Sequence, residues 1–159
     1  MYRTGIGFDV HALAEDKLLI IGGVQIPHQK GLLGHSDADV LVHAVMDAVL
    51  GALAIGDIGQ HFPDTDAEFK GANSLELLSH VNRLAEEKGF VCTNLDSIIM
   101  AEKPKMAPYL MKMRANLATA LKIKTEQVSI KATTTERLGL IGREEGIAAQ
   151  AIVLLNSIT

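Results

Sequence analysis

The sequence lacks tryptophan altogether, and aromatic residues make up only 4% of its 159 residues. A folded core must therefore be built from aliphatic side chains and alanine, and the hydrophobic fraction of 48% is that of an ordinary globular protein. Cysteine occurs once, as Cys92, so an internal disulfide is excluded. A disulfide-stabilised secreted scaffold is excluded with it.

An excess of basic residues is also missing, since the formal net charge is −4. This charge argues against a nucleic-acid-binding protein, which usually carries a basic stripe. A small anionic substrate remains compatible, because a few local cations reverse the sign within one pocket. No apolar run reaches the roughly 18 residues that span a bilayer, and residues 1–11 lack a signal-peptide pattern. We therefore expect a soluble cytoplasmic protein with neither nucleic-acid nor membrane partners.

No repeat, low-complexity tract or linker divides the chain, so residues 1–159 are expected to form a single domain. Apolar periodicity and turn residues predict an α+β fold, a two-layer sandwich of a mixed β-sheet with helices packed on one face. The other face is partly apolar, which invites oligomerisation around the sheet. A loop at 56–71 is expected to be functional. The predicted strands are 3–10, 18–26 (one strand, or a pair broken at Gly22 and Gly23), 94–102, 128–133 and 147–155; the predicted helices are 37–54, 74–88 and 105–121.

Two potential metal ligands, Asp9 and His11, stand at the end of the first predicted strand. Side chains alternate along a strand, so both project from the same face. His43 on the following helix can add a third ligand, and two nitrogens with one oxygen are typical of a catalytic zinc site with an open position. Asp39 and Asp47 lie one turn either side of His43, where either could orient the imidazole. The alternative is a solvated strand end and a half-buried helix histidine.

Two other segments could bind the substrate or could be ordinary connections. Ser36 suits the N-cap of helix 37–54, where free backbone N–H groups attract anions, and His35 could donate to a phosphate or be a polar loop residue. Residues 101–107 form a strand-to-helix turn with two lysines, which could wrap a nucleotide or simply join two elements.

A run of three threonines at 133–135 follows a predicted strand, and its side chains are suited to binding a phosphate group. Hydroxyls donate to phosphate oxygens, and the guanidinium of Arg143 can do the same. Glu136 beside them makes sense with a divalent cation, since Mg²⁺ favours a carboxylate together with phosphate oxygens. The alternative is a β-rich strand end with a surface pair. Gly5 and Gly7 lack the third glycine and the helix of a dinucleotide-binding loop, so that interpretation is rejected.

Taken together, five motifs in order resemble the 2-C-methyl-D-erythritol 2,4-cyclodiphosphate synthase family over nearly the whole chain. They are GFDVH at 7–11, HSDADVLVHAVMDAVLGA at 35–52, GDIGQHFPDTD at 56–66, PKM at 104–106, and KATTTERLG at 131–139 with GREEGIA at 142–148. Each motif is modest alone, whereas the ordered set is specific.

The resemblance implies a catalytic domain of the non-mevalonate isoprenoid pathway. The implied substrate, a cytidine diphosphate compound, is 4-diphosphocytidyl-2-C-methyl-D-erythritol 2-phosphate, whose 2-phosphate attacks the β-phosphorus and releases CMP. The implied cofactors are Zn²⁺ and a second ion, Mg²⁺ or Mn²⁺, that bridges the diphosphate. The implied assembly is a homotrimer with active sites between subunits.

The resemblance also implies roles for individual residues. Zinc would be bound by Asp9, His11 and His43, the second ion by Glu136, and the transition state steadied by His35 and Thr134. Asp57 and the loop 62–66 would hold the erythritol end, and 101–107 with Thr133 the cytidine end. Leu140 replaces an aromatic residue of the family pattern, and Glu144 adds a charge between Arg143 and Glu145 near the trimer channel. The implied substrate contacts are Ser36, Asp57, Ile58, Gly59, Phe62, Pro63, Asp64, Thr65, Asp66, Ala101, Pro104, Lys105, Met106, Ala107, Thr133, Thr135, Leu140 and Arg143.

Two other functions compete with the synthase. A non-catalytic protein that binds nucleotides or isoprenoid phosphates would not need four metal ligands. A zinc hydrolase would need a general base beside the open metal position, a role that His35 could take, and it would yield a monophosphate instead of a ring.

Overall fold

The computed structural model describes residues 1–63, 65 and 71–158. Five strands form a mixed sheet in the order β4-β1-β7-β5-β6, in which β5 and β6 are parallel and the other neighbours antiparallel. Strands β2 and β3 form a separate hairpin. The strands are β1 Tyr2–Glu15, β2 Leu19–Ile21, β3 Val24–Ile26, β4 Lys30–Leu32, β5 Phe90–Met100, β6 Val128–Thr133 and β7 Gly146–Ser157. The helices are α1 Val40–Leu53, α2 Ile58–His61, α3 Ser74–Glu87, α4 Leu110–Leu121 and α5 Gly139–Gly142, with short 3₁₀ turns at Ala107–Tyr109 and Thr125–Gln127.

Helix α1 is the centre of the core. All but two of its fourteen residues are buried, and it packs across β1 and β7. Gly5 and Gly7 make this approach close: a Cβ atom at Gly7 would lie 1.9 Å from the Ala44 carbonyl oxygen, and one at Gly5 would lie 1.9 Å from that of Ala48. These glycines therefore serve helix–strand packing inside β1.

The opposite face of the sheet is open and apolar. Along β1 the burial alternates, so that odd-numbered residues face α1 and even-numbered ones point away. Tyr2, Ile6, Phe8 and Val10 on that outer face are 42% to 69% exposed, and Ile152 of β7 lies beside Ile6 and is 49% exposed. The prediction of a mixed sheet with helices and an apolar free face is confirmed.

Several predicted boundaries are wrong. Asp9 and His11 do not end β1, which continues to Glu15 because its last residues pair with β4, a strand that was not predicted. Helix α1 starts at Val40, and its N-cap is Asp39, whose side chain accepts from the Val42 N–H, in place of Ser36. The helix predicted at 105–121 begins as a 3₁₀ turn and becomes α-helical at Leu110. The segment 18–26 is the pair of strands and not one strand.

Among the residues that the structure describes, no helix is long and apolar enough to cross a membrane.

Candidate metal centre and phosphate-binding segment

Asp9, His11 and His43 meet at one point beneath α1. The Asp9 Oδ2 atom lies 2.9 Å from His11 Nε2 and 3.0 Å from His43 Nδ1, and the two ring nitrogens are 3.1 Å apart. Strand alternation places the first two side chains on the helix-facing side of β1, and α1 presents the third from above. The predicted convergence of these three residues is therefore observed.

The partners of the outer ring nitrogens decide the tautomer of each histidine. His11 Nδ1 lies 2.8 Å from the Leu33 carbonyl oxygen, which can only accept, so that nitrogen carries the proton. His43 Nε2 lies 3.1 Å from the Ser74 hydroxyl, and that hydroxyl donates to the Asp37 carboxylate and so accepts from the histidine. In both neutral rings, the inner nitrogen then presents a lone pair towards Asp9.

Three lone pairs directed at one point suit a divalent cation. A tetrahedral zinc ion about 2.0–2.1 Å from each ligand would hold the ligand atoms about 3.3 Å apart, close to the separations observed. When the inner nitrogens carry protons in place of a metal ion, they donate to Asp9. Burial alone would raise the pKa of Asp9, but these hydrogen bonds and the charge of both histidines hold it well below its usual range. Burial would lower the pKa of His11, yet Asp9 raises it overall. The donor set therefore fits a metal ion, and a proton can replace the ion at low pH.

The residues that orient His43 differ from those predicted. The Asp39 carboxylate accepts from the backbone N–H groups of Gly22 and Gly23, at 2.9 and 2.7 Å, besides capping α1. The Asp47 carboxylate accepts from the Ile58 N–H. Neither carboxylate contacts the imidazole. Ser74 and Ser36, both 3.1 Å from His43 Nε2, take that place. Ser74 lies 31 residues from His43, and no local spacing pointed to it.

A cavity of about 280 Å³ opens beside the three ligands. Several of the predicted substrate contacts line this cavity together with the three metal ligands. The Nε2 atom of His35 is buried there without a hydrogen-bond partner in the described part of the chain. The Asp57 carboxylate caps α2 instead, accepting from the Gln60 N–H. Pro63 and the exposed Thr65 continue this segment, and the predicted contacts Asp64 and Asp66 lie outside the described residues. The lining includes His35, Ser36, Ile58, Gly59 and Phe62.

The predicted phosphate and cytidine contacts lie elsewhere. Thr133, Thr134 and Glu136 are exposed, and the Thr134 hydroxyl lies 3.3 Å from Glu136 Oε1. The Arg143 guanidinium pairs with Glu145 at 2.9 Å. In the neighbouring turn Ala101 and Met106 are buried, Pro104 is partly buried, and Lys105 and Ala107 are exposed; Leu140 is 44% exposed and Thr135 is partly buried.

The structure does not bring these residues to the three metal ligands within one chain. Asp9 pairs with Ala149, Ala149 with Ile99, and Ile99 with Ala132, so three strand spacings separate Asp9 from the end of β6. At about 4.8 Å each, this amounts to about 14 Å. Thr133 lies in the same row as Val10, which points to the open face, whereas the metal ligands face the helices.

Comparisons of the amino-acid sequence with known proteins identify the family of this chain. A model of the YgbB family matches residues 2–156. A protein of Alkaliphilus metalliredigens (strain QYMF) named 2-C-methyl-D-erythritol 2,4-cyclodiphosphate synthase is 64% identical over 151 residues, covering 95% of each chain. One of the same name from Clostridioides difficile (strain 630) is 60% identical over 153 residues, covering 96% of this chain and 95% of that one. The family resemblance predicted from the motifs is confirmed.

Solved structures of similar proteins have the same fold as this chain. The bifunctional IspDF of Campylobacter jejuni matches with a TM-score of 0.95 and 46% identity over 99% of this chain and 42% of that longer one. A CDP complex of IspF from Plasmodium falciparum matches with a TM-score of 0.87 and 34% identity, covering 99% of this chain and 97% of that one. The fold is shared with both, and one of these relatives binds a cytidine nucleotide.

Proposed function

This chain belongs to the YgbB family, and from that premise we propose that it is a cyclising phosphorus–oxygen lyase of isoprenoid biosynthesis. It converts 4-diphosphocytidyl-2-C-methyl-D-erythritol 2-phosphate to 2-C-methyl-D-erythritol 2,4-cyclodiphosphate and CMP. An oxygen of the 2-phosphate forms a bond to the β-phosphorus. The bond from that phosphorus to the bridging oxygen breaks, and the bridging oxygen leaves with the electron pair as part of CMP. The convergence of Asp9, His11 and His43 on one point beside a cavity carries the proposal.

The ligand set favours Zn²⁺ held by Asp9 Oδ2, His11 Nε2 and His43 Nδ1. When bound there, the ion supplies a Lewis acid for an oxygen of the β-phosphate. The chain's own contribution is the orientation of both imidazoles, through the Leu33 carbonyl and the Ser74 hydroxyl.

The remaining residues position the substrate and offset its charge. The attack is intramolecular, so no side chain need act as the nucleophile, and holding the substrate bent supplies much of the rate. His35 in the cavity and Thr134 would donate to phosphate oxygens, and Glu136 would hold Mg²⁺ or Mn²⁺, which would offset the charge of the diphosphate. Asp57 with the residues that follow it takes the erythritol end, and the turn 101–107 with Thr133 the cytidine.

We further propose a homotrimer with the active sites between subunits. Two observations support this proposal. About 14 Å separates Asp9 from the end of β6 within one chain. The outer face of the sheet exposes apolar side chains, which contact with other subunits would bury. A neighbouring copy can bring its own segment 133–136 to the metal ligands of the first. We place the enzyme in the cytoplasm, as one domain. Native mass spectrometry should give three times the chain mass, and a monomer at active concentrations would exclude shared sites.

Phosphorus NMR of the zinc-loaded protein with substrate and Mg²⁺ tests the reaction. We expect cyclic diphosphate signals to appear together with CMP, and to be absent after chelation or in the His43→Ala variant. Unchanged substrate despite bound zinc would identify a binding protein. An acyclic monophosphate would identify a hydrolase.

A further inference from the structure

The backbone of the segment after β6 has an unusual conformation. Glu136 has a φ angle of 53° and Arg137 one of 63°, so two consecutive residues with Cβ atoms are left-handed. Such residues disfavour this region, and two in a row persist only when surrounding contacts hold them. The conformation matters because it decides where Thr134 and Glu136, both exposed, present their side chains.

Glu102 makes two of the contacts that hold this conformation, together with a 2.9 Å bond from the Leu138 N–H to the Thr135 carbonyl oxygen. Its Oε1 atom accepts from the backbone N–H groups of Thr135 and Arg137, each at 3.1 Å. The Thr135 hydroxyl, 3.4 Å from the same oxygen, donates instead to the Leu138 carbonyl oxygen at 2.8 Å. The two N–H groups flank Glu136, so one carboxylate oxygen grips the backbone on both sides of that residue. Bonds from N–H groups to a carboxylate are stronger than those to a neutral acceptor.

Glu102 belongs to the turn 101–107, on which the proposed cytidine site depends. The adjoining residue Ala101 donates its N–H to the Thr133 carbonyl oxygen at 3.0 Å, so the two segments are bonded at two successive residues. The cytidine turn and the segment carrying Thr134 and Glu136 are therefore joined through Glu102.

We propose that Glu102 is a positioning residue: by bonding the backbone on both sides of Glu136, it sets the Thr134 and Glu136 side chains at the diphosphate and its divalent ion. The inference rests on the proposed function. Glu102 touches neither substrate nor ion in this account, and it acts through the segment that it holds.

The test compares Glu102→Ala with Glu102→Gln, whose amide oxygen can still accept the same bonds. The control is Glu126→Ala, an exposed carboxylate at the opposite end of β6. For Glu102→Ala we expect kcat to fall at least tenfold and the Mg²⁺ concentration for half-maximal rate to rise at least fivefold, with KM changed less than threefold. Glu102→Gln should stay within threefold of the wild type, and the control should be unchanged. Zinc content should be the same in all four proteins.

A readout independent of turnover is Mn²⁺ binding to the zinc-loaded protein in the presence of CDP, followed by electron paramagnetic resonance. Glu102→Ala should weaken it at least fivefold, and Glu136→Gln should abolish the same site. Equal Mn²⁺ binding in wild type and Glu102→Ala overturns the inference, as does a Glu102→Gln variant impaired as severely as Glu102→Ala. A lowered kcat with unchanged Mg²⁺ and Mn²⁺ dependence also overturns it, because loss of stability alone would do that. If the wild type binds Mn²⁺ through Glu136 but forms no ring, the proposed function fails and the Glu102 comparison still stands on binding.

Discussion

The metal ligands and the segment 133–136 lie at the same end of the sheet, but they are built in opposite ways. His43 is 8% exposed, and its two ring nitrogens lie 3.0 Å from Asp9 Oδ2 and 3.1 Å from the Ser74 hydroxyl. The segment 133–136 is largely exposed, and its hydroxyls and carboxylate contact mostly one another and Glu102. The side chains of the first region are fixed by contacts within the chain, whereas those of the second are exposed.

This difference matches the different requirements of binding a metal ion and binding a phosphate group. A metal ion needs ligands preset to within a few tenths of an ångström, and a buried helix–strand contact provides that. A phosphate chain that must enter and leave needs donors that stay accessible. Each region should therefore respond differently to substitution.

The largest effect is expected at the buried region. His43→Ala removes one of three ligands, so turnover should fall on the order of 10³-fold or more, with loss of the bound metal. Metal analysis and product formation check this, and His28→Ala, in the turn between β3 and β4, serves as the control. Full activity without bound metal would end the zinc assignment.

Gly7→Ala should disrupt the contact on which the buried region rests. The new Cβ would lie 1.9 Å from the Ala44 carbonyl oxygen and 2.8 Å from the Ala48 nitrogen, both backbone atoms that cannot rotate away. We expect a loss of about 3 kcal/mol in the free energy of unfolding. The control is Gly51→Ala on α1, where the nearest atom to a new Cβ is 3.8 Å away; it should gain about 0.5–1 kcal/mol. Denaturant unfolding at fixed protein concentration measures both, and equal stabilities would refute the packing argument.

Glu136→Gln tests the exposed region by itself. Because Glu136 is not one of the three residues that converge as metal ligands and is exposed in its own chain, zinc content and stability should not change. Turnover should fall about 10²-fold, since a neutral amide is a poor ligand for Mg²⁺. Glu126→Gln is the matched control for kcat. Loss of zinc in Glu136→Gln would show that the two regions are not independent.

Ser74→Ala sharpens the account of the buried region. The hydroxyl bridges His43 and Asp37, so its removal should weaken metal binding about 10- to 100-fold by releasing the imidazole. Competition with a chromophoric chelator measures the affinity. Ser79→Ala, also on α3 but bonded to the Leu75 carbonyl, should bind metal normally.

The smallest effect is a pH dependence of stability at Asp39. Burial raises the pKa of this carboxyl to about 6, against the bonds from three backbone N–H groups that lower it. Between about pH 4 and pH 7 the folded state then binds more protons than the unfolded state, so Asp39 adds stability as pH falls from 7 to 5. The gain should be about 1 kcal/mol relative to Asp39→Asn, which has no carboxyl to titrate. Unfolding curves at pH 5, 6 and 7 test it, and a constant difference would contradict the shift.

The convergence of Asp9, His11 and His43 was predictable because period-two alternation places Asp9 and His11 together, and a long apolar run marks the helix of His43. The residue at which that helix starts was not predictable from the sequence. Ser36, Asp37 and Asp39 are all good N-caps, and contacts with Gly22 and Gly23 in a distant hairpin select Asp39. Strand β4 was missed because three residues show too little periodicity to identify.

By itself the sequence determined the mixed α+β fold, the three converging residues that could hold a metal ion, and the family, through short-range periodicity and ordered motifs. Only the tertiary structure decided that Ser74 orients His43, that Glu102 holds the backbone around Glu136, and that the phosphate segment lies three strands from the metal ligands. These are contacts between residues 31 or more positions apart, or strand neighbours in space, and local spacing carries no information about them. The packing of α3 against α1 brings Ser74 to His43, and the pairing of β5 with β6 brings Glu102 to the segment after β6.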